Sequence, residues 1–236
     1  MKLVVNEKHI KTRRTLAMAL TFGTLAILVL ALLASFSTNP TYRMLSYIGL
    51  AVGLVTSQIG MFFTNRYGRN PRFDEILAAN FDKLPREYSF WVFASPQPML
   101  LLGPCGFWLP LPINGTGEIS YRDGKWRQKG GNFIMKLFGQ EGIGNPSREA
   151  EAAVAALRKW LADQGLPQAE QPAVKPILIA FDKRTILGEL GDAPQPVLQP
   201  DDVKQYVRRM DNTDCTTPLD DAQREKLNQL LLAYNK

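Results

Sequence analysis

The chain has 236 residues with 28 Lys/Arg against 22 Asp/Glu, and a net charge of +6 with a pI near 9.3 would ordinarily point to nucleic acid. The excess is local, because residues 1–72 hold nine Lys/Arg and one Glu while the remaining 164 hold 19 against 21. That larger part lacks the broad basic surface that phosphate backbones demand. It also has no histidine, which excludes His-based catalysis and the usual Cys/His zinc sites from it.

A basic tail over 1–14 leads into two stretches, Thr15 to Phe36 and Met44 to Phe63, without a single Asp, Glu, Lys or Arg. Crossing a hydrocarbon core of roughly 30 Å takes about 20 apolar residues in a helix, which satisfies its own backbone there. Residues 15–63 are therefore expected to form a transmembrane hairpin with spans 15–36 and 44–63. The first run far exceeds a signal-peptide core of about 7–15 residues, and Leu33-Ala34-Ser35-Phe36 lacks a cleavage end, so it reads as an uncleaved anchor. Lys8, Lys11, Arg13 and Arg14 precede the first span, Arg66, Arg69 and Arg72 sit in a basic juxtamembrane linker over 64–72, and Arg43 alone marks the loop. The positive-inside rule then puts both termini in the cytoplasm, in a two-span protein of the cell membrane whose first partner is the lipid bilayer.

In the second span Gly49, Gly53 and Ser57 recur every fourth residue, giving a face flat enough for a second helix. Packing against the first span is the expected use, and a homodimer through the second span is the other. With no ionisable side chain inside, the spans are a poor transport path and read as an anchor.

Residues 73–210 have the composition of one cytosolic globular domain, followed by a C-terminal helix within 211–236. A helix is expected over Phe73 to Leu84, with Ile76, Ala79, Phe81 and Leu84 as its inner face. A meander of short antiparallel strands follows at Tyr88 to Ala94, Met99 to Leu102, Phe107 to Leu111, Glu118 to Arg122 and Lys125 to Gln128, the last two joined by Asp123-Gly124. Pro110 and Pro112 cannot donate to a ladder, which predicts an edge strand or an exit from the sheet there. After a glycine-rich linker over Phe133 to Gly144, Asn145 and Pro146 open the clearest helix, with Ala150, Val154, Leu157 and Leu161 as its stripe and Gly165 as its stop. Val174 to Phe181 is a strand and Pro194 to Pro200 a short strand or extended loop. Val203, Tyr206, Val207 and Met210 mark a helical face, and Thr217-Pro218-Leu219-Asp220 starts the last helix. Cys105 and Cys215, far apart in sequence and on the reducing side, are expected as free thiols.

The run Leu100 to Trp108 around Gly103-Pro104-Cys105-Gly106, then Gly117-Glu118-Ile119, Asp123-Gly124-Lys125-Trp126 and Asn145-Pro146-Ser147-Arg148-Glu149-Ala150, resembles the nuclease-related domain (NERD) family. The resemblance covers about residues 73–210 and implies an α/β (α+β) restriction-endonuclease-like domain, with a central mixed sheet flanked by helices. Nucleases of that fold gather an Asp and an Asp/Glu-x-Lys, whose carboxylates hold Mg²⁺ while the Lys orients the attacking water. The matched positions here are Pro98, Leu111 and Ile113, none of them ionisable.

The resemblance thus implies a membrane-anchored domain without hydrolytic power or cofactor, acting in binding or scaffolding. The alternative is a membrane-tethered, metal-dependent endonuclease with relocated ligands, Glu75 and Glu118 holding Mg²⁺ and Lys125 positioning water. Nucleic acid is a partner only under readings of this kind, where Lys136 and the Arg127-Gln128-Lys129 stretch would touch phosphate.

Overall fold

The computed structural model describes residues 1–113, 115–130 and 143–234. They form two compact units, one of Glu7–Arg72 and one that joins Met1–Asn6 to Phe73–Lys236. The expected linker over Phe133 to Gly144, with Lys136 in it, lies outside the described residues up to Gln140-Glu141-Gly142.

The first unit is a pair of helices, α1 (Glu7–Ser35) and α2 (Pro40–Phe63), long and apolar enough to cross a membrane. Asn39 caps α2, its Oδ1 accepting from the Thr41 N–H at 2.9 Å, and Pro40 fills the first turn, where a missing N–H costs nothing. The seam between the helices repeats every seventh residue, with Ile10, Ala17, Thr24 and Ala31 buried on α1 and Ser46, Gly53 and Gly60 on α2. Small residues let the backbones approach: a Cβ on Gly49 would stand 2.8 Å from Ala31 Cβ, and one on Gly53 would collide with Leu28. Gly49 and Gly53 thus face the first helix of their own chain, while Ser57 is only half-buried. Thr24 Oγ1 donates to Thr56 Oγ1 at 3.0 Å, and Thr56 donates to the Val52 carbonyl at 2.9 Å, so the seam's hydroxyls are satisfied. The large side chains point away, and only 17% of each helix's most apolar stretch is buried, the reverse of a soluble core helix.

The second unit is a mixed α/β domain. Lys2–Val5 is not a free tail but a strand, β1, paired parallel to β2 (Ser89–Val92) from Lys2↔Ser89 to Val5↔Val92. β2, β3 (Met99–Gly103) and β4 (Gly106–Ile113) run antiparallel, and β4 then pairs parallel with β7 (Val174–Ala180) and β7 with β9 (Val197–Leu198). The six-stranded order is β1-β2-β3-β4-β7-β9. The expected single meander is corrected here. β5 (Gly117–Arg122) and β6 (Lys125–Lys129) leave it for a three-stranded sheet, β6-β5-β8, with β8 at Thr185–Leu187. Asp123 and Gly124 both take positive φ, 53° and 73°, as a two-residue hairpin turn with the strands' twist requires.

The proline-bearing strand is also not at the edge, since β4 lies between β3 and β7. Its pairing with β3 ends at Leu101↔Trp108, and Pro110 and Pro112 fall beyond that point, where only β7 pairs with it. The Phe107 N–H donates toward the β7 side, to Ala173 O at 2.8 Å. With alternation, the missing proline donors face the side on which the ladder has already stopped.

Among the described residues, four helices cover the large sheet. α4 (Pro146–Asp163) and α6 (Asp221–Tyr234) bury Leu157, Leu161, Leu227 and Leu231 against Trp91, Leu100, Leu102, Phe107 and Leu109. On the opposite face, α3 (Phe73–Phe81) packs with α5 (Pro200–Thr213), and Phe81 meets Phe90 edge-on at 5.2 Å. Asn145 caps α4 as expected, accepting from the Arg148 N–H at 3.1 Å, and Gly165 follows its end at φ 83°. α3 is shorter than expected and buries Leu77 with Phe81, leaving Ala79 exposed. The capping box of α6 lies three residues later than Thr217: Asp220 Oδ1 accepts from the Gln223 N–H at 2.6 Å, and the Asp220 N–H donates to Gln223 Oε1 at 3.0 Å.

Candidate functional site

Two places in the domain concentrate chemistry. One is where the resemblance would put a metal, and the other was not anticipated from the sequence. Continuing the β3–β4 register beyond Leu101↔Trp108 puts Pro98 opposite Leu111, with Ile113 two residues on along the same face. That face is apolar. Ile113 and Leu178 are buried with Ile119 and Ala150, and Leu111, Trp126 and Val197 pack against them. Trp126 is held there by its Nε1–H, which donates to Ser147 Oγ at 2.9 Å in the first turn of α4. It is a packing aromatic that closes the small sheet onto α4.

The structure does not gather the other acids. Glu75 is exposed on α3, and Glu118 is exposed on β5 opposite Lys129, its carboxylate lying over Gly188. Lys125 pairs with Arg122 at the far end of the same hairpin, four residues along, about 13 Å at the usual strand rise. Among the described residues no group of three or more His, Cys, Asp or Glu is placed to hold a metal ion.

The unanticipated site lies on the α3/α5 face, around a buried carboxylate. Asp211, 6% exposed, accepts from Tyr88 Oη at 2.8 Å and from Trp108 Nε1 at 3.1 Å. Burial lifts its carboxyl above the usual range, while the bonds from Tyr88 and Trp108 and the charge of Lys175 pull the other way. Burial, reinforced by Asp211, pushes the Tyr88 hydroxyl well up. Gly103 makes the room, since a Cβ there would stand 2.7 Å from Tyr88 Cε1 and 3.0 Å from Asp211 Oδ2. Gly106, at φ 114°, brings the β4 backbone so close that a Cβ would strike the Ala173 carbonyl. The Gly103-Pro104-Cys105-Gly106 run is therefore a turn that both glycines are needed to build.

Cys105 and Cys215 are joined in a disulfide, with Cα atoms 5.5 Å apart, which corrects the expectation of free thiols. The β3–β4 turn brings Cys105 under the link between α5 and α6 that carries Cys215, a proximity that 110 residues of sequence separation conceal. Both cysteines line a cleft of about 510 Å³, together with Lys175, Gln171, Thr216 and Lys226. The Lys175 ammonium is buried with no hydrogen-bond partner among the described residues and rests 4.9 Å from the centre of the Trp108 ring, its register partner.

The molecule is thus a mixed α/β domain interrupted after its first strand by two apolar helices. No family model matches the chain, and neither a curated protein nor a solved structure does.

Proposed function

We propose that this is a membrane-anchored protein whose cytosolic domain is related to the NERD nucleases, has lost their catalytic acids, and acts by binding or scaffolding. The observation that carries the reading is the apolar cluster of Leu111, Ile113 and Leu178 at the positions where that family would hold its metal. A divalent cation needs carboxylate oxygens, and none stands at Pro98, Leu111 or Ile113. The chain order α3-β2-β3-β4-β5-β6-α4-β7, in which β2, β3 and β4 run antiparallel and β4 and β7 pair parallel, supports the restriction-endonuclease-like comparison, with β5 and β6 set apart in the small sheet.

The membrane part rests on length, composition and outward-facing apolar side chains. β1 precedes the hairpin and β2 follows it, and the two are hydrogen-bonded neighbours, a pairing that supports exit and return of the chain on one side. The basic residues at both ends of the hairpin support the cytoplasm as that side.

The test is a cleavage assay of the full detergent-solubilised chain on plasmid, single-stranded DNA and RNA with Mg²⁺ or Mn²⁺. No cleavage above background is expected. Cleavage that disappears in Glu75→Gln or Glu118→Gln would establish the tethered endonuclease instead.

A further inference from the structure

We infer that the Cys105–Cys215 pair is a thiol–disulfide exchange site that reacts with a low-molecular-weight thiol entering the cleft beside it. This rests on the proposed cytoplasmic placement, because in a reducing compartment a disulfide is ordinarily transient, catalytic or redox-sensing. Three features of the cleft suit the chemistry. Both sulfurs belong to residues lining an open cavity of about 510 Å³, within the range that holds small molecules. The two cysteines differ in access, Cys105 being 6% exposed and Cys215 half-buried on the link between α5 and α6, so attack falls on Cys215. Finally, Lys175 lines the same cleft, its buried ammonium has no hydrogen-bond partner among the described residues, and a nearby cation favours a departing thiolate.

A thiolate RS⁻ adds to Cys215 Sγ, the protein S–S bond breaks, and its electron pair leaves on Cys105 Sγ. A second RS⁻ attacks the mixed disulfide, forming RSSR and releasing the Cys215 thiolate. Two thiols are oxidised to one disulfide, and the protein pair takes up two electrons and two protons. The Asp211 carbonyl oxygen stands 3.3 Å from Cys105 Sγ, ready to accept from the new S–H. Opening unties the α5–α6 link from the β3–β4 turn, leaving the Leu219 N–H to Pro104 O bond of 2.7 Å and the burial of Leu227 and Leu231 to hold α6 in place.

The experiment titrates the folded, full-length chain with reduced and oxidised glutathione at fixed ratios and counts free thiols by maleimide mass-tagging. Millimolar reduced glutathione is expected to open the bond without denaturant. Oxidised glutathione is expected to label Cys215 in Cys105→Ser but to leave Cys105 nearly unlabelled in Cys215→Ser. Lys175→Gln should slow opening about tenfold by weakening the leaving group. A bond that opens only when denaturant is added overturns the proposal, and equal labelling of the two single cysteines overturns the assigned point of attack. Protease digestion of sealed vesicles of known sidedness separates this from the placement it rests on. A locked bond in a cytoplasmic domain overturns the exchange site alone, and an exchanging bond in an outward-facing domain overturns the placement alone. A locked bond in an outward-facing domain overturns both.

Discussion

The helical hairpin and the α/β domain solve the same packing problem in opposite senses. In the domain the largest of the fully buried side chains are Trp91, Phe81, Phe90 and Phe107, and most charge faces out. Within residues 15–63 the buried positions are Ala17, Thr24, Ala31, Ser46, Gly53 and Gly60, while Phe22, Leu33 and Met44 stand 68%, 62% and 66% exposed. A sequence that hides its small residues and displays its large apolar ones fits the proposed bilayer, because water would penalise the displayed surface by about 25 cal/mol per Å². The contrast is therefore a statement about surroundings, and mutations can test each half of it.

The largest effect is expected in the domain. Trp91→Ala empties the space between β2 and the α4/α6 layer and removes the Nε1 donor to Ser89 Oγ at 3.0 Å. It should lower unfolding free energy by about 3–5 kcal/mol, read from urea unfolding of the full chain in detergent. Next comes a charge on the hairpin's outer surface. Leu25, 58% exposed, sits near the middle of the first span, and Leu25→Arg should cost about 2.5–3.5 kcal/mol of insertion. Less protein should then remain in carbonate-washed membranes, and an unchanged fraction would break the lipid side of the comparison.

A smaller effect is expected where the domain itself buries polarity. Tyr88→Phe removes a hydroxyl donor from buried Asp211 and should cost about 1–3 kcal/mol at neutral pH. The pH dependence has a definite sign. Burial raises the Asp211 carboxyl above its unfolded value, so its contribution to stability is full below the ordinary carboxylate range and is lost as pH rises through the raised value. Asp211→Asn should flatten that decline in urea unfolding measured from acid to neutral pH, and an unaltered profile would show that Asp211 does not titrate there.

What could be read in the sequence follows the range of the interactions. Local signals were legible. They include the two apolar runs, the Asn145-Pro146 start and Gly165 stop of α4, and the Asp123-Gly124 turn. Pairings set by long-range register were not. A four-residue strand such as Lys2–Val5 carries too little pattern to announce that it joins β2 across the hairpin, and β8 is shorter still. Pro110 and Pro112 pointed to an edge strand or an exit from the sheet, and neither occurs, because the donors they lack face the side where pairing with β3 has already ended while β7 pairs on through Ile113. Of the candidate site, Pro98, Leu111 and Ile113 were identifiable only through resemblance. Asp211, Tyr88 and Lys175 gave no local sign, because what makes them unusual is burial beside one another from three distant segments. The Gly103-x-x-Gly106 spacing next to Cys105 was the one available hint that this turn meets something closely.

The sharpest form of the comparison uses the smallest expected effect. Ile186 on β8 is 63% exposed, nearly the exposure of Leu25, and both are apolar side chains directed away from their own unit. If exposure alone governed the outcome, Ile186→Arg and Leu25→Arg would behave alike. Ile186 sits beside Glu118 in the small sheet, where water can solvate a guanidinium and the carboxylate can attract it. Ile186→Arg should therefore change unfolding free energy by no more than about 0.5 kcal/mol, the ordinary range for a surface site. The same substitution at Leu25 must strip the guanidinium of water if its surroundings are hydrocarbon. Equal, small effects at both positions would mean that the hairpin's apolar face meets water or a protein partner, and a wide gap between them would locate the bilayer.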